Sequence, residues 1–211
     1  MAEGPAAKRP PHWMLLLSFK GVCSVPISRR LFGASLALAP AFAPMQAAHA
    51  AAGPERLREG SRPAPAIAFT DAEGRERTLA DFAGRGLVIN LWATWCPPCV
   101  AEMPALDRLA AILAAEGIEV LPLSSDRGGR AQVEPFYQRT GIRTLGIWLD
   151  PRGAAARGLG VRGLPTTVIV DRAGTERARL EGDAAWDTPE MVAALRRLIG
   201  PPRENAAPTR T

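Results

Sequence analysis

Two cysteines separated by two prolines, Cys96-Pro97-Pro98-Cys99, are the residues of this 211-residue chain best suited to chemistry. A thiol pair at this spacing can exchange with a foreign disulfide: one sulfur attacks, and the second, one helical turn away, resolves the mixed disulfide. A purely structural disulfide here would close almost no loop and would stabilise little. A zinc centre needs about four ligands. Beyond Ala50 the chain offers Cys96, Cys99 and no histidine.

The elements around the pair give it meaning. Leu87-Val88-Ile89-Asn90-Leu91-Trp92-Ala93 is a mostly apolar run of strand length, as expected of a strand buried on both faces. It leads straight into Trp95-Cys96. From Pro97 the pattern turns helical, with Met103, Leu106, Leu109, Ile112 and Leu113 at three- and four-residue spacing, Gly117 closing the element and Pro104 expected to kink it. Cys96 therefore sits at a helix N-terminus, where free N–H groups and the helix dipole favour a thiolate. It is expected to be the nucleophile, and Cys99 the more buried resolving thiol. The two prolines add no charge, so thiolate stabilisation should be modest and the pair a reductant or balanced exchanger rather than a strong oxidant.

Ala66 to Phe69 and Arg77 to Leu79 flank Asp71-Ala72-Glu73-Gly74 and predict a small N-terminal hairpin. Ile118 to Ser124 reads as a strand, Gln132 to Arg139 as a helix, and Leu145 to Leu149 as a short strand. Thr166 to Val170 turns at Asp171-Arg172-Ala173-Gly174 into Glu176 to Leu180, an antiparallel hairpin. Thr188 as N-cap and Pro189 open a last helix that ends at Gly200. Strand–helix alternation followed by a hairpin and a helix predicts an α/β fold, with helices on both faces of a mixed sheet.

Hydrophobic residues make up 47% and charged residues 22%, the composition of one globular domain with extra segments at its ends. The domain is expected over 66–200, preceded by a linker over 51–65 and followed by a Pro-rich tail over 201–211. Residues 1–50 read as an export signal of the twin-arginine type: Arg29-Arg30, an apolar stretch from Leu31 to Ala43, then Ala48-His49-Ala50. Pro40 and Pro44 break that stretch, so it is read as cleaved, with an uncleaved membrane anchor as the alternative. Of the formal charge of +5, Lys8, Arg9, Lys20, Arg29 and Arg30 against Glu3 place +4 in this leader. The rest is nearly neutral, which speaks against a nucleic-acid partner.

Asn90-Leu91-Trp92-Ala93-Thr94-Trp95-Cys96-Pro97-Pro98-Cys99, Glu102-Met103-Pro104-Ala105-Leu106 and Gly163-Leu164-Pro165-Thr166-Thr167 closely resemble the TlpA-like branch of periplasmic thioredoxins, with its ResA-like and CcmG-like members. The resemblance covers about Ile67 to Ile199. It implies a thioredoxin fold and a periplasmic thiol:disulfide oxidoreductase without a cofactor. Its substrate would be apocytochrome c or a copper-site protein of cytochrome oxidase, and its electrons would come from a membrane thiol relay.

Carried over residue by residue, Pro165 matches the family's cis-proline beside the redox pair, and Glu102 its active-site glutamate, thought to pass a proton to the buried thiol. Trp95, Pro97 and Leu164 would touch substrate. Asn90 stands where ordinary thioredoxins carry a buried acid. A copper metallochaperone of the same fold is the alternative, although metal delivery would favour a histidine beside the thiolates. A peroxiredoxin would need Pro-x-x-x-Thr-x-x-Cys, and Thr94 lies only two residues before Cys96.

Overall fold

The computed structural model describes residues 53–202, all within one compact unit. The expected export signal and residues 203–211 of the expected tail lie outside the described residues. Eight strands form one mixed sheet: β1 (Arg58–Pro63), β2 (Ala68–Asp71), β3 (Glu76–Thr78), β4 (Gly86–Trp92), β5 (Ile118–Ser124), β6 (Trp148–Leu149), β7 (Thr166–Val170) and β8 (Thr175–Glu181). Their order is β1-β8-β7-β4-β5-β6-β2-β3. Four helices accompany them: α1 (Pro97–Leu113), α2 (Arg130–Thr140), α3 (Ala154–Gly158) and α4 (Pro189–Ile199).

All seven residues of β4 are buried, because layers cover both of its faces and the side chains alternate between them. Val88 and Trp92 face Met103, Leu106, Leu109 and Leu113 of α1, Phe136 of α2 and Leu195 of α4. Leu87, Ile89 and Leu91 face Ile67, Phe69, Phe82 and the α3 residue Ala155. The four α1 side chains are fully buried. Truncating any of them to alanine costs about 3 kcal/mol, so the helix that carries the cysteines is firmly anchored. β4 runs parallel to β5 and antiparallel to β7, and α1 is the crossover that a parallel pair requires.

Most expected elements are present, and the differences have local causes. Residues Arg58–Pro63, expected within a linker, form an edge strand paired with β8. All six of its side chains are exposed, so it carries no apolar alternation, and Arg62 grips Glu176 instead through two bonds of 3.0 and 3.1 Å. The strand expected over Leu145 to Leu149 is only Trp148–Leu149. Helix α3 was not expected, since Ala154-Ala155-Ala156-Arg157-Gly158 is too short to show a period. α1 runs unbroken through Pro104, which denies the Val100 carbonyl its helical donor. Gly117 ends the following 3₁₀ turn with φ +64°, a conformation that glycine adopts without strain.

Candidate active site

Cys96 is the N-cap of α1, with extended backbone, and its carbonyl accepts the first helical bond from Val100 N at 3.0 Å. It is joined to Cys99 by a disulfide with Cα atoms 5.3 Å apart. In this oxidised state Cys99 is fully buried and Cys96 is 5% exposed. Trp95 is 65% exposed and Pro97 and Pro98 are exposed, so the pair lies at the floor of an open apolar rim.

The segment entering Cys96 is held from β5. The buried Asp126 carboxylate accepts bonds from Thr94 N at 2.9 Å, Thr94 Oγ1 at 2.7 Å and Ser124 Oγ at 2.8 Å. Thr94 is thus a structural anchor for the segment that enters Cys96. On the other side of β4, Leu91 pairs with Thr166, which sets Pro165 level with Trp92 at the sheet end where the cysteines begin. The Leu164–Pro165 bond is cis, as the motif implies. Pro165 O accepts from Gly182 N at 2.9 Å, and the Leu164 side chain packs against the cluster that contains Cys96 and Cys99. The Leu164 backbone makes no hydrogen bond among the described residues.

Glu102 is 3% exposed, although its place in the sequence is one where a solvated glutamate is the ordinary expectation. Three neutral donors receive its carboxylate: Asn90 Nδ2 bonds Oε1 at 2.8 Å, and Ala184 N and Trp186 Nε1 bond Oε2 at 3.1 and 2.7 Å. Burial pushes its pKa from 4.5 up to about 7; the three bonds oppose that rise and the charge of Asp183 adds to it. Asn90, itself fully buried, also donates to Thr167 Oγ1 at 2.9 Å, while its Oδ1 has no partner. A carboxyl that titrates near neutrality therefore lies one helical turn from the resolving cysteine. Its oxygens are already engaged, so it is poorly placed to join the thiolates in a metal site.

The structure brings Cys96, Cys99, Trp95, Pro97, Leu164 and Pro165 to one end of the sheet, with Glu102 beneath them. Sequence reasoning missed Asp126 and Trp186. Trp186 lies in the Gly182-to-Asp187 loop, where a tryptophan reads as packing, and its target is 84 residues away. Asp126 follows Ser124-Ser125 at a strand end, a signal for a loop cap that did not disclose which loop.

The AhpC/TSA family model matches residues 61–179. The chain is 36% identical over 119 residues to the thiol-disulfide oxidoreductase ResA of Geobacillus thermodenitrificans, covering 56% of this chain and 67% of that protein. It is 30% identical over 147 residues to ResA of Bacillus anthracis, covering 70% and 82%. Among solved structures, a putative thiol:disulfide interchange protein DsbE from Chlorobium tepidum superposes with a TM-score of 0.58 at 26% identity, covering 68% of this chain and 99% of that one.

Proposed function

This chain belongs to the AhpC/TSA family and is a thiol:disulfide oxidoreductase of thioredoxin fold; within that activity we propose that it reduces disulfides of exported proteins in the periplasm. The observation that carries the reading is the pairing of an open rim over Cys96 with a neutral-pH carboxyl, Glu102, one turn behind Cys99.

In the reduced protein the Cys96 thiolate attacks one sulfur of the substrate disulfide. That S–S bond breaks, a mixed disulfide forms, and the departing substrate thiolate takes up a proton. Cys99 then loses its proton towards Glu102, and its thiolate attacks Cys96 Sγ, releasing the second substrate thiolate, which is protonated in turn. Two electrons pass to the substrate, and the protein is left in the disulfide state seen here. A dithiol donor, for which the resemblance names a membrane thiol relay, returns the pair to the reduced state by the reverse exchange. The unpaired Leu164 backbone offers one donor and one acceptor to an extended substrate segment, and Trp95 and Pro97 supply apolar contact beside the sulfur.

Haem-attachment or copper-site cysteines of respiratory proteins are the proposed substrates, and the leader over 1–50 is the proposed route of export. Cys99→Ser stops the resolving attack, so it should accumulate a mixed disulfide through Cys96 in periplasmic extract, with the partner identified by mass spectrometry. A trapped apocytochrome or copper-site protein is expected. Reduced wild-type protein that left every protein disulfide intact would overturn the reductase reading.

A further inference from the structure

Resting on that reductase reading, we propose that the substrate cystine is carried on an acidic segment recognised by Arg127 and Arg162. These arginines flank the cysteine pair from the two strands that adjoin β4. Arg127 follows Asp126, whose carboxylate holds Thr94 two residues ahead of Cys96. It opens the loop after β5. Arg162 lies on the opposite side, two residues before Leu164 in the loop entering β7, and Leu164 packs against the cluster containing both cysteines.

Both arginines are exposed. Among the described residues neither side chain is in an ion pair, although most other surface arginines of the domain are in one.

The imbalance is local. Residues 53–202 contain as many acids as arginines and no lysine, but most acids at this end of the sheet are either buried or paired with an arginine of the same chain. Glu102 and Asp126 are buried and bonded. Asp187 is paired with Arg108 at 2.6 Å, and Glu134 with Arg130 at 2.9 Å. Glu181, opposite Thr166 in β8, lies 3.8 Å from Arg58, and Asp183, half-buried beside Glu102, is the remaining acid near the pair. The outward charge around Cys96 is therefore basic on two sides, with the apolar Trp95 and Pro97 between. Guanidinium forks at that rim suit carboxylates, which they meet with paired hydrogen bonds. Rim charges act mainly by steering the encounter, so the preference should weaken as salt rises.

The test uses the reduced full chain and three synthetic peptides with the same intramolecular cystine, flanked by aspartates, by serines or by lysines. The aspartate peptide should be reduced about tenfold faster than the lysine peptide at low ionic strength, and added salt should shrink that ratio. In Arg127→Glu/Arg162→Glu the order should reverse. Arg139→Glu, at the exposed end of α2, makes the same kind of charge change away from the pair and should keep the wild-type order. Equal wild-type rates on all three peptides overturn the inference while the reductase reading stands. So does an aspartate preference that survives the double reversal, or one that Arg139→Glu abolishes equally. No reduction of any peptide overturns the reductase reading, and this inference with it.

Discussion

Glu102 and Glu176 are both hidden carboxylates, 3% and 5% exposed, but they keep different company. Glu176 is held by two cations: Arg62 bonds it through Nε and Nη2 at 3.0 and 3.1 Å, and Arg179 through the same atoms at 2.9 and 3.2 Å. It fastens edge strand β1 to β8. Glu102 meets only neutral donors, and burial lifts its pKa to about 7. Countercharge on both sides makes a buried carboxylate a staple between strands, whereas at Glu102 burial without countercharge raises the proton affinity. The redox end of the sheet holds the second kind and the edge holds the first.

The largest effect should come from the staple. Glu176→Ala leaves Arg179, whose side chain is 16% exposed, without its countercharge and releases Arg62 from β1. About 3 kcal/mol of stability should be lost, visible as a fall in Tm of about 10 °C. The pH profile of thiol exchange should stay where it was. A profile that moved with Glu176 would erase the distinction between the two carboxylates.

Glu102→Gln should do the reverse. Wild-type Glu102 has a folded pKa above its ordinary 4.5, so its protonated form is favoured by folding. Its contribution is complete below about pH 4.5 and is lost as pH climbs through about 7, a difference of about 3 kcal/mol. Urea denaturation at pH 5 and pH 8 should show this loss in the wild type and not in Glu102→Gln. A glutamine fits if Asn90 turns its amide, giving the partnerless Oδ1 a donor. The exchange rate of the wild type should rise through about pH 7 as Glu102 becomes a base, and the variant should lack that step. Identical profiles would remove Glu102 from the proton path.

The same contrast explains how much the sequence disclosed. β4, α1 and the β7–β8 hairpin were readable because burial writes itself into the sequence, as a continuous apolar run in β4 and β7 and as three- and four-residue spacing in α1. The place of Pro165 beside the cysteine pair came from the resemblance and rests on the pairing of β7 with β4, whereas the pair itself was readable because its chemistry depends on neighbours in the chain. β1 was not, since a strand with six exposed side chains, held by backbone pairing and an ion pair 114 residues away, leaves no pattern. For Glu102 the role came from the resemblance and the physical reason from the fold: the burial and the donors that set its proton affinity arrive from β4 and from the loop after β8. Asp126 was missed on the same ground, being a side chain whose partner is another loop.

The smallest effect separates hydrogen bonding from packing at Trp186. Trp92 and Trp186 are both fully buried, but Trp186 Nε1 donates to Glu102 Oε2 at 2.7 Å while Trp92 Nε1 has no partner. Phenylalanine at either position loses volume, so both variants should melt earlier. Only Trp186→Phe also removes a donor that stabilises the Glu102 anion. Its exchange profile should therefore shift to higher pH by about one unit, equivalent to about 1.4 kcal/mol, while Trp92→Phe leaves the midpoint unmoved. Equal midpoints in the two variants would show that the indole only fills space, and that Asn90 and the Ala184 amide hold the carboxylate by themselves.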